Sequence, residues 1–477
     1  MSVKSDIPGD TAVGFRSERG PVLISVMLST GLVAIDSTVL ATAVPSIVGE
    51  LGGFNQFPWL FSAYLLGQAV TVPIYAKLSD SFGRKPILLL GIALFLAGSI
   101  LCAVAWNMPA LIIFRAVQGL GAGAVQPTAM TIVGDIYTLA ERARVQGYLA
   151  SVWAVSSVIG PLLGGVFSQL GIWRGVFLIN IPLCLIAAWM FSRHFHEKVT
   201  HRQRSVDVVG AALLACAMTA LILAILGGGQ TWAWSSKPSI SAFASGVALL
   251  VAFVFVERRA AEPILPLWVF SRRLLCATTI VAFGVGAILM GLTSYVPTFL
   301  EGSLRIQPVI AGLALAALTL GWPATASIAG RFYLKWGFKN TAVLGVTLVI
   351  AGSAVLAAAA HRPNVAVVAA VCLVIGGGMG LLAVPTLIAA QSSVDWNERG
   401  VVTGNNMFAR SLGSAVGVAV FGAIANAIFG PGDVHSVGPA AIKSGSAAVF
   451  TGVLVVAVAT AVAVLAMPRT PPQAGDN

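Results

Sequence analysis

Long apolar runs constrain this chain more than any other feature, and the first run contains a single carboxylate. From Pro21 to Ile35 every residue is apolar, small or hydroxyl-bearing, and the pattern resumes from Val39 to Val44. An apolar helix of about 20 residues is long enough to cross a bilayer. Asp36 then lies inside the membrane, where an aspartate near the helix centre costs about 2.5–3.5 kcal/mol. We therefore interpret Asp36 as a proton-carrying group; a packing aspartate bonded to neighbouring hydroxyls is the alternative.

The other apolar runs predict an all-α polytopic membrane protein. Only 9% of the residues are charged and the mean hydropathy is +0.92, whereas about 25% of residues are charged in soluble domains. The runs predict fourteen transmembrane helices, at residues 21–47, 57–78, 86–105, 108–134, 145–170, 174–192, 208–228, 239–256, 274–300, 308–330, 340–360, 364–391, 400–428 and 445–467.

The basic residues predict how these helices are oriented. With the amino terminus inside, 21 of the 28 Lys and Arg residues lie in cytoplasmic segments and five in outer loops, as the positive-inside rule requires. Both termini are then cytoplasmic, in a multi-pass protein of the cell (inner or plasma) membrane. Because this topology accounts for the net charge of +11, no nucleic-acid partner is expected.

An internal repeat divides the helices into two halves. At an offset of 257 residues, Gly119, Gly121 and Gly123 recur as Gly376, Gly378 and Gly380, and Glu141-Arg142 recurs as Glu398-Arg399; at a shorter offset, Gly83 to Lys85 recur as Gly337 to Lys339. Parallel six-helix halves are a known transporter plan, with the substrate site between them. We therefore predict five segments: a cytoplasmic tail (1–20), an N-terminal half (21–193), a linker with two extra helices (194–271), a C-terminal half (272–467) and a second tail (468–477).

The loop between helices 2 and 3 reads Ala-Lys-Leu-Ser-Asp-Ser-Phe-Gly-Arg-Lys over residues 76–85. Gly83 allows a tight turn, and Asp80 can cap the next helix or pair with a nearby arginine. Such a charge latch, made of Asp80, Gly83 and Arg84, would form when the two halves close on the inner side. The alternative is a basic loop that only fixes topology.

Arg115 is the first of two basic residues within the predicted membrane helices. It lies about seven residues from the outer start of helix 4, hence roughly 10 Å deep, whereas Asp36 lies roughly 13–16 Å deep. These depths are compatible with a direct pair or a one-water relay, and intramembrane charges generally pair or line a cavity.

Helix 5 contains Gly160, Pro161 and Gly164. A proline inside a helix removes a backbone donor and kinks it, and glycines let helices approach closely. The segment therefore predicts a bend that seals one side of a cavity, with plain helix packing as the alternative.

Further polar and aromatic residues are candidates for a substrate cavity between the halves. They are Trp59, Tyr64, Gln68, Gln118, Gln126, Tyr295, Asn405 and Arg410. Arg410 is the second basic residue within a predicted membrane helix; it either binds an anionic group, gates the cavity or satisfies backbone carbonyls. The histidines at 194, 196 and 201 lie among basic residues of an inner loop, so no metal site is predicted.

Together these motifs resemble the major facilitator superfamily, in particular its fourteen-helix drug:proton antiporter family. The resemblance covers nearly the whole chain and includes the segments Leu32–Val39 and Trp173–Pro182. It implies that Asp36 is the coupling carboxylate with Arg115 as its relay partner, that Asp80 and Arg84 form the latch, and that Gly160-Pro161 is the antiporter kink. Three positions depart from the family pattern: Ala76 and Ser81 in the loop and Ser156 in helix 5.

The sequence thus predicts a proton-coupled multidrug efflux antiporter and not an enzyme. It would export amphipathic or cationic compounds by alternating access, as a monomer without a cofactor. Two alternatives stay open. One is a dedicated exporter of a single metabolite, lipid or siderophore, and the other is a membrane sensor or assembly factor that does not transport.

Overall fold

The computed structural model describes residues 14–52, 56, 58–197, 207–227, 232–260, 263, 265, 267–429 and 439–468. These residues form fifteen α-helices and one 3-10 turn, Trp396–Glu398. In chain order the helices are α1 Gly20–Leu51, α2 Pro58–Phe82, α3 Arg84–Ala103, α4 Met108–Ile136, α5 Leu139–Gln169, α6 Gly175–Leu178, α7 Asn180–His194, α8 Val208–Gly227, α9 Lys237–Glu257, α10 Trp268–Ser271, α11 Arg273–Leu304, α12 Pro308–Ala359, α13 Val365–Ser392, α14 Arg399–Phe429 and α15 Pro439–Ala466.

Thirteen of the fourteen predicted spans overlap one of these helices or part of one, and the sixth covers α6 and most of α7. Within the described residues, twelve helices are long and apolar enough to cross a membrane. One of them, α12, is two helices joined across Gly337, whose backbone is not helical. In α8 the apolar stretch is shorter, Val209–Ile225. The polytopic all-helical architecture is therefore confirmed.

The sixth predicted span is found as one membrane candidate, Gly175–His194, since Ile179, between α6 and α7, has helical backbone angles. The last residues of the predicted amino-terminal tail are in contact with the helices. Arg19 Nη1 donates to the carbonyl oxygen of Ile136 and to Glu141 Oε2, both at 2.9 Å, so residues 14–19 are held against the turn between α4 and α5.

The hydrophobic core consists of several clusters, and each of the three largest is built from one part of the chain. The largest cluster contains only residues between Val281 and Val464. Two further clusters lie between Val22 and Phe195 and between Val39 and Phe177. A fourth joins residues of α2, α8, α9 and α14. The exact boundaries of the predicted halves stay a prediction.

The repeated glycines make equivalent close contacts. A side chain at Gly123 would overlap Thr71 of α2, and one at Gly380 would overlap Thr325 of α12. Thr71 Oγ1 donates to the Leu120 carbonyl at 3.4 Å, and Thr325 Oγ1 donates to the Gly377 carbonyl at 2.7 Å. Small residues allow this approach of helix backbones, and the same helix contact thus occurs twice in the chain.

Candidate functional site

Asp36 and Arg115 form a direct ion pair inside the N-terminal group of helices. Arg115 Nη1 lies 2.6 Å from Asp36 Oδ2, and each side chain has only 1% of its surface exposed. The predicted depths agree with this contact, and no bridging water is needed at such a distance. A buried pair of this kind is costly to break, because removing one partner leaves an uncompensated charge in low dielectric.

The second carboxylate oxygen is bound by two amides. Gln118 Nε2 donates to Asp36 Oδ1 at 2.9 Å, and Asn180 Nδ2 donates to the same oxygen at 3.2 Å. Both amides also donate to Ser99 Oγ, at 2.7 and 3.2 Å. Side chains from α1, α3, α4 and α7 therefore meet at one carboxylate.

The guanidinium of Arg115 has further partners of its own. Its Nε donates to the Leu60 carbonyl at 3.2 Å, and its Nη1 also donates to Gln118 Oε1 at 2.6 Å. The group lies 4.3 Å from the centre of the Tyr64 ring, a cation–π distance. Helix α2 thus completes the surroundings of the pair, and Tyr64 and Gln118, predicted as cavity residues, belong to this network.

The glycines of α5 pack directly on the helix that contains Asp36. A side chain at Gly160 would overlap Thr38, and one at Gly164 would overlap Thr42 and the Val39 carbonyl. Thr38 Oγ1 also donates to the Ser156 carbonyl at 3.0 Å. Helix α5 runs through position 161 without interruption, and the side chain of Pro161 lies outside the described side chains. The kink stays a prediction, but the close approach of α5 to α1 is observed.

The predicted latch residues lie where α2 and α3 meet the start of α14. Asp80 forms an ion pair with Arg84. Its two oxygens also accept hydrogen bonds from the backbone N–H groups of Gly400 at 3.0 Å and Val401 at 2.7 Å. These are free N–H groups of the first turn of α14, where a negative charge is stabilised by the helix dipole. Asp80 therefore caps a helix that is more than 300 residues away in the sequence.

Arg84 extends this contact to α4 and to the 3-10 turn. Its Nε lies 3.0 Å from Asp135 Oδ2, its Nη2 donates to the Trp396 carbonyl at 3.0 Å, and it stacks 4.5 Å from the Trp396 ring. Asp135 also accepts from Arg399 Nη1 at 3.3 Å. Two acids and two arginines thus connect the two groups of helices at the end that is predicted to be cytoplasmic.

The remaining cavity candidates do not meet at one common site. Gln68 and Gln126 bond to each other at 3.0 Å, and Asn405 donates to Thr279 Oγ1 at 2.6 Å. Trp59 and Tyr295 are partly buried elsewhere. Arg410 lines a small cavity without any of the others. In this arrangement the polar candidates are mostly satisfied by neighbouring helices.

Several hydrogen-bonding partners are not indicated by the sequence. Ser99 and Asn180 contact the network around Asp36, but a lone serine or asparagine in an apolar run gives no signal of its partner. Glu50 is a third case: Trp173 Nε1 and Arg174 Nη1 each donate to it at 2.6 Å. Hydrogen bonds from Arg174 and then Trp173 lower the pKa of Glu50. The segment that contains Trp173 and Arg174 stands out in the sequence, but nothing in it indicates Glu50, 123 residues before Trp173, as a partner.

Comparisons with known proteins identify the fold and its relatives. Residues 26–418 match the model of the Major Facilitator Superfamily. The chain is 33% identical to the multidrug transporter protein MdtP of Bacillus subtilis over 414 residues, covering 87% of this chain and 76% of the relative. It is 34% identical to multidrug resistance protein 3 of the same organism over 422 residues, covering 88% and 82%. The human organic anion transporter MFSD10 (TETRAN) shares the fold, with a TM-score of 0.67 and 16% identity over 94% of this chain and 99% of that one.

Proposed function

Since the chain belongs to the major facilitator superfamily of membrane transporters, we propose that it exports amphipathic small molecules, including cationic ones, in exchange for protons. Multidrug transport or resistance is the activity in the names of the two Bacillus subtilis relatives described above. What supports proton coupling is a single observation, the buried carboxylate of Asp36 with Arg115 against it.

The hydrogen bonds at Asp36 all come from donors on neighbouring side chains. An ionised carboxylate only accepts hydrogen bonds, and this one accepts from three donors on Arg115, Gln118 and Asn180. A proton added to Oδ2 would face the N–H of Arg115, so two donors would point at each other. Proton loading therefore requires Arg115 to move away, which links the charge of Asp36 to the position of α4.

The contacts at the predicted cytoplasmic end supply the second half of the cycle. Asp80 caps α14 and Arg84 contacts the turn before it only while the two groups of helices are together. We propose that release of these contacts opens the inner side, and that the proton on Asp36 biases which side is open. A membrane potential adds about 2.3 kcal/mol per charge per 100 mV, so the movement of one proton is a sufficient driving force.

The test is Asp36→Asn in proteoliposomes with an imposed pH gradient. Asparagine keeps the shape of aspartate but does not ionise, so substrate accumulation against a gradient should fall at least tenfold while downhill exchange continues. Glu50→Gln is the matched control, because it removes another carboxylate from α1 that lies outside the network.

Folding must be separated from coupling in this experiment. Asp36→Asn leaves Arg115 without its counter-ion, and breaking a buried pair costs about 3–5 kcal/mol. The double variant with Arg115→Gln removes both charges, so we expect it to regain thermal stability but not uphill transport. Uphill export that survives in Asp36→Asn would exclude this residue as the coupling group.

A further inference from the structure

Arg410 is an arginine halfway along a membrane helix, and the part of the chain that the structure describes contains no ion-pair partner for it. It lies eleven residues after the first residue of α14, hence about 16 Å along the helix. That is close to the middle of a hydrocarbon core of about 30 Å. Among the described residues, no atom forms a hydrogen bond or an ion pair with its guanidinium. Arg115, the other intramembrane arginine, forms three hydrogen bonds, one of them within an ion pair, and a cation–π contact.

The C-terminal half offers no acid that could serve as its partner. Between residues 272 and 467 the sequence contains four acidic residues. Glu301 lies in the last turn of α11, and Asp395 and Glu398 precede α14 at the other end. The fourth, Asp433, lies between α14 and α15, outside the described residues. All four are therefore remote in the sequence from the middle of the helices.

Arg410 lines a cavity between three helices. The cavity has a volume of about 30 Å³, and its walls come from α11, α13 and α14. Thr386 and Asn406 are its other polar residues, and the rest of the wall is apolar. This volume holds about two water molecules, so a substrate group reaches Arg410 only when α11 and α13 separate in another arrangement of the helices.

Resting on the proposed function, we propose that Arg410 binds a carboxylate group of the transported molecule. A guanidinium presents a planar fork of donors that matches a carboxylate in two parallel hydrogen bonds. An arginine in a membrane is costly unless it pairs or lines a watery cavity, and here the pairing partner arrives with the substrate. The preferred substrates are then amphipathic acids or zwitterions.

The charges of the N-terminal half support this choice of substrate. Asp36 is neutralised by Arg115, and Asp80 and Asp135 by Arg84. Each of these three acids has an arginine within ion-pair distance and is therefore not a free carboxylate. By contrast, none of the described residues forms an ion pair with Arg410, so its charge is available to an acidic group of the substrate.

The test uses two dyes that differ in one group. Rhodamine 110 contains a free carboxylate, and rhodamine 123 is its methyl ester. Fluorescence polarisation with purified protein in detergent gives the Kd of each dye, without any requirement for proton coupling or transport. The readout is the ratio of the ester's Kd to the acid's Kd, which a general loss of folding does not change.

The expected result is that this ratio falls at least tenfold in Arg410→Gln, as loss of a charge-assisted hydrogen bond predicts. Arg362→Gln is the control, because it removes a positive charge from an exposed outer turn, and it should leave the ratio unchanged. Arg410→Lys keeps the charge but not the fork and should give an intermediate ratio.

Two results would overturn the proposal. A ratio near one in the wild type would show that the carboxylate is not recognised. A ratio unchanged in Arg410→Gln would show that recognition lies elsewhere and that Arg410 has a packing role. Failure of the proposed function has a different signature: both dyes bind with the expected ratio, yet neither moves across proteoliposomes when a pH gradient is applied.

Discussion

The loop between α2 and α3 and the turn in the middle of α12 have the same backbone but different side chains. Gly83 has φ 98° and ψ 160°, and Gly337 has φ 79° and ψ 164°. Both φ values are positive and lie in the region that favours glycine. Around this shared turn, Asp80 and Arg84 correspond to Leu334 and Phe338 in the second copy.

The two turns also fasten the molecule with interactions of different strength. The first connects to the other half through buried charges, with Asp80 on the start of α14 and Arg84 on the turn before it. The second crosses by a neutral hydrogen bond, from Tyr333 Oη to the Leu139 carbonyl at 3.0 Å, and Tyr333 stacks on Phe338 at 5.0 Å. The glycine is required by the turn, whereas the neighbouring side chains decide how firmly each turn holds the halves together.

The largest effect is expected from Asp80→Asn, which removes the charge from the first turn. The contacts of Asp80 that cross to the other half are the hydrogen bonds from Gly400 and Val401. A hydrogen bond to a charged group is worth about 1.5–3 kcal/mol, and asparagine keeps one acceptor oxygen, so we expect a loss of about 3 kcal/mol. About 3 kcal/mol corresponds to a hundredfold shift toward the open arrangement. Spin labels at the exposed positions Arg193 and Asn340, in a cysteine-free background, would report the change as a longer distance.

Leu334→Asn is the matched control for that variant, since it places asparagine at the corresponding position of the second turn. Leu334 is exposed, so the distance distribution should not change. If Asp80→Asn keeps the wild-type distance distribution and normal transport, the first turn does not hold the halves together and its charges serve only to fix the topology.

A smaller effect is expected from alanine at either glycine. A Cβ in the left-handed region costs about 1–2 kcal/mol, so Gly83→Ala and Gly337→Ala should lower thermal stability by similar amounts. Only Gly83→Ala should also reduce transport, because it displaces Arg84 from its partners. Equal losses of transport in the two variants would contradict the unequal roles of the turns.

The smallest effect is expected from Tyr333→Phe. This change removes one hydrogen bond, worth about 0.5–1.5 kcal/mol, and leaves the stacked rings in place. Transport should stay within about threefold of the wild type, with a small increase in the fraction of open molecules. A loss of transport as large as that of Asp80→Asn would show that the second turn connects the halves as strongly as the first.

Much of the architecture was predictable because the membrane makes the pattern simple. Apolar runs of the right length become helices. The glycine repeat indicated two equivalent contacts, that of α4 with α2 and that of α13 with α12. The contacts of Arg19 were not predictable, because they depend on which loop lies beside residues 14–19.

The candidate site was predictable where charge was the signal. Asp36, Arg115, Asp80 and Arg84 stand out because charges are rare in and beside apolar helices. For Asp36 and Arg115, the depths along the helices also indicated that the two can meet. Amides and backbone groups gave no such signal, so the capping of α14 by Asp80 and the contact of Asn180 with Asp36 emerged only from the three-dimensional arrangement.

The fourth hydrophobic cluster has a consequence for the speed of the transport cycle. Helix α8 contributes Leu214, Ala217 and Met218 to this cluster, which also contains Val70 of α2 and Met407 of α14. If α2 and α14 separate during the cycle, α8 cannot keep all its contacts with both helices. Apolar contacts of α8 then break before new ones form. We therefore expect α8 to raise the barrier between the two arrangements and to slow turnover, whereas the contacts of Asp80 and Arg84 would change the relative populations of the arrangements.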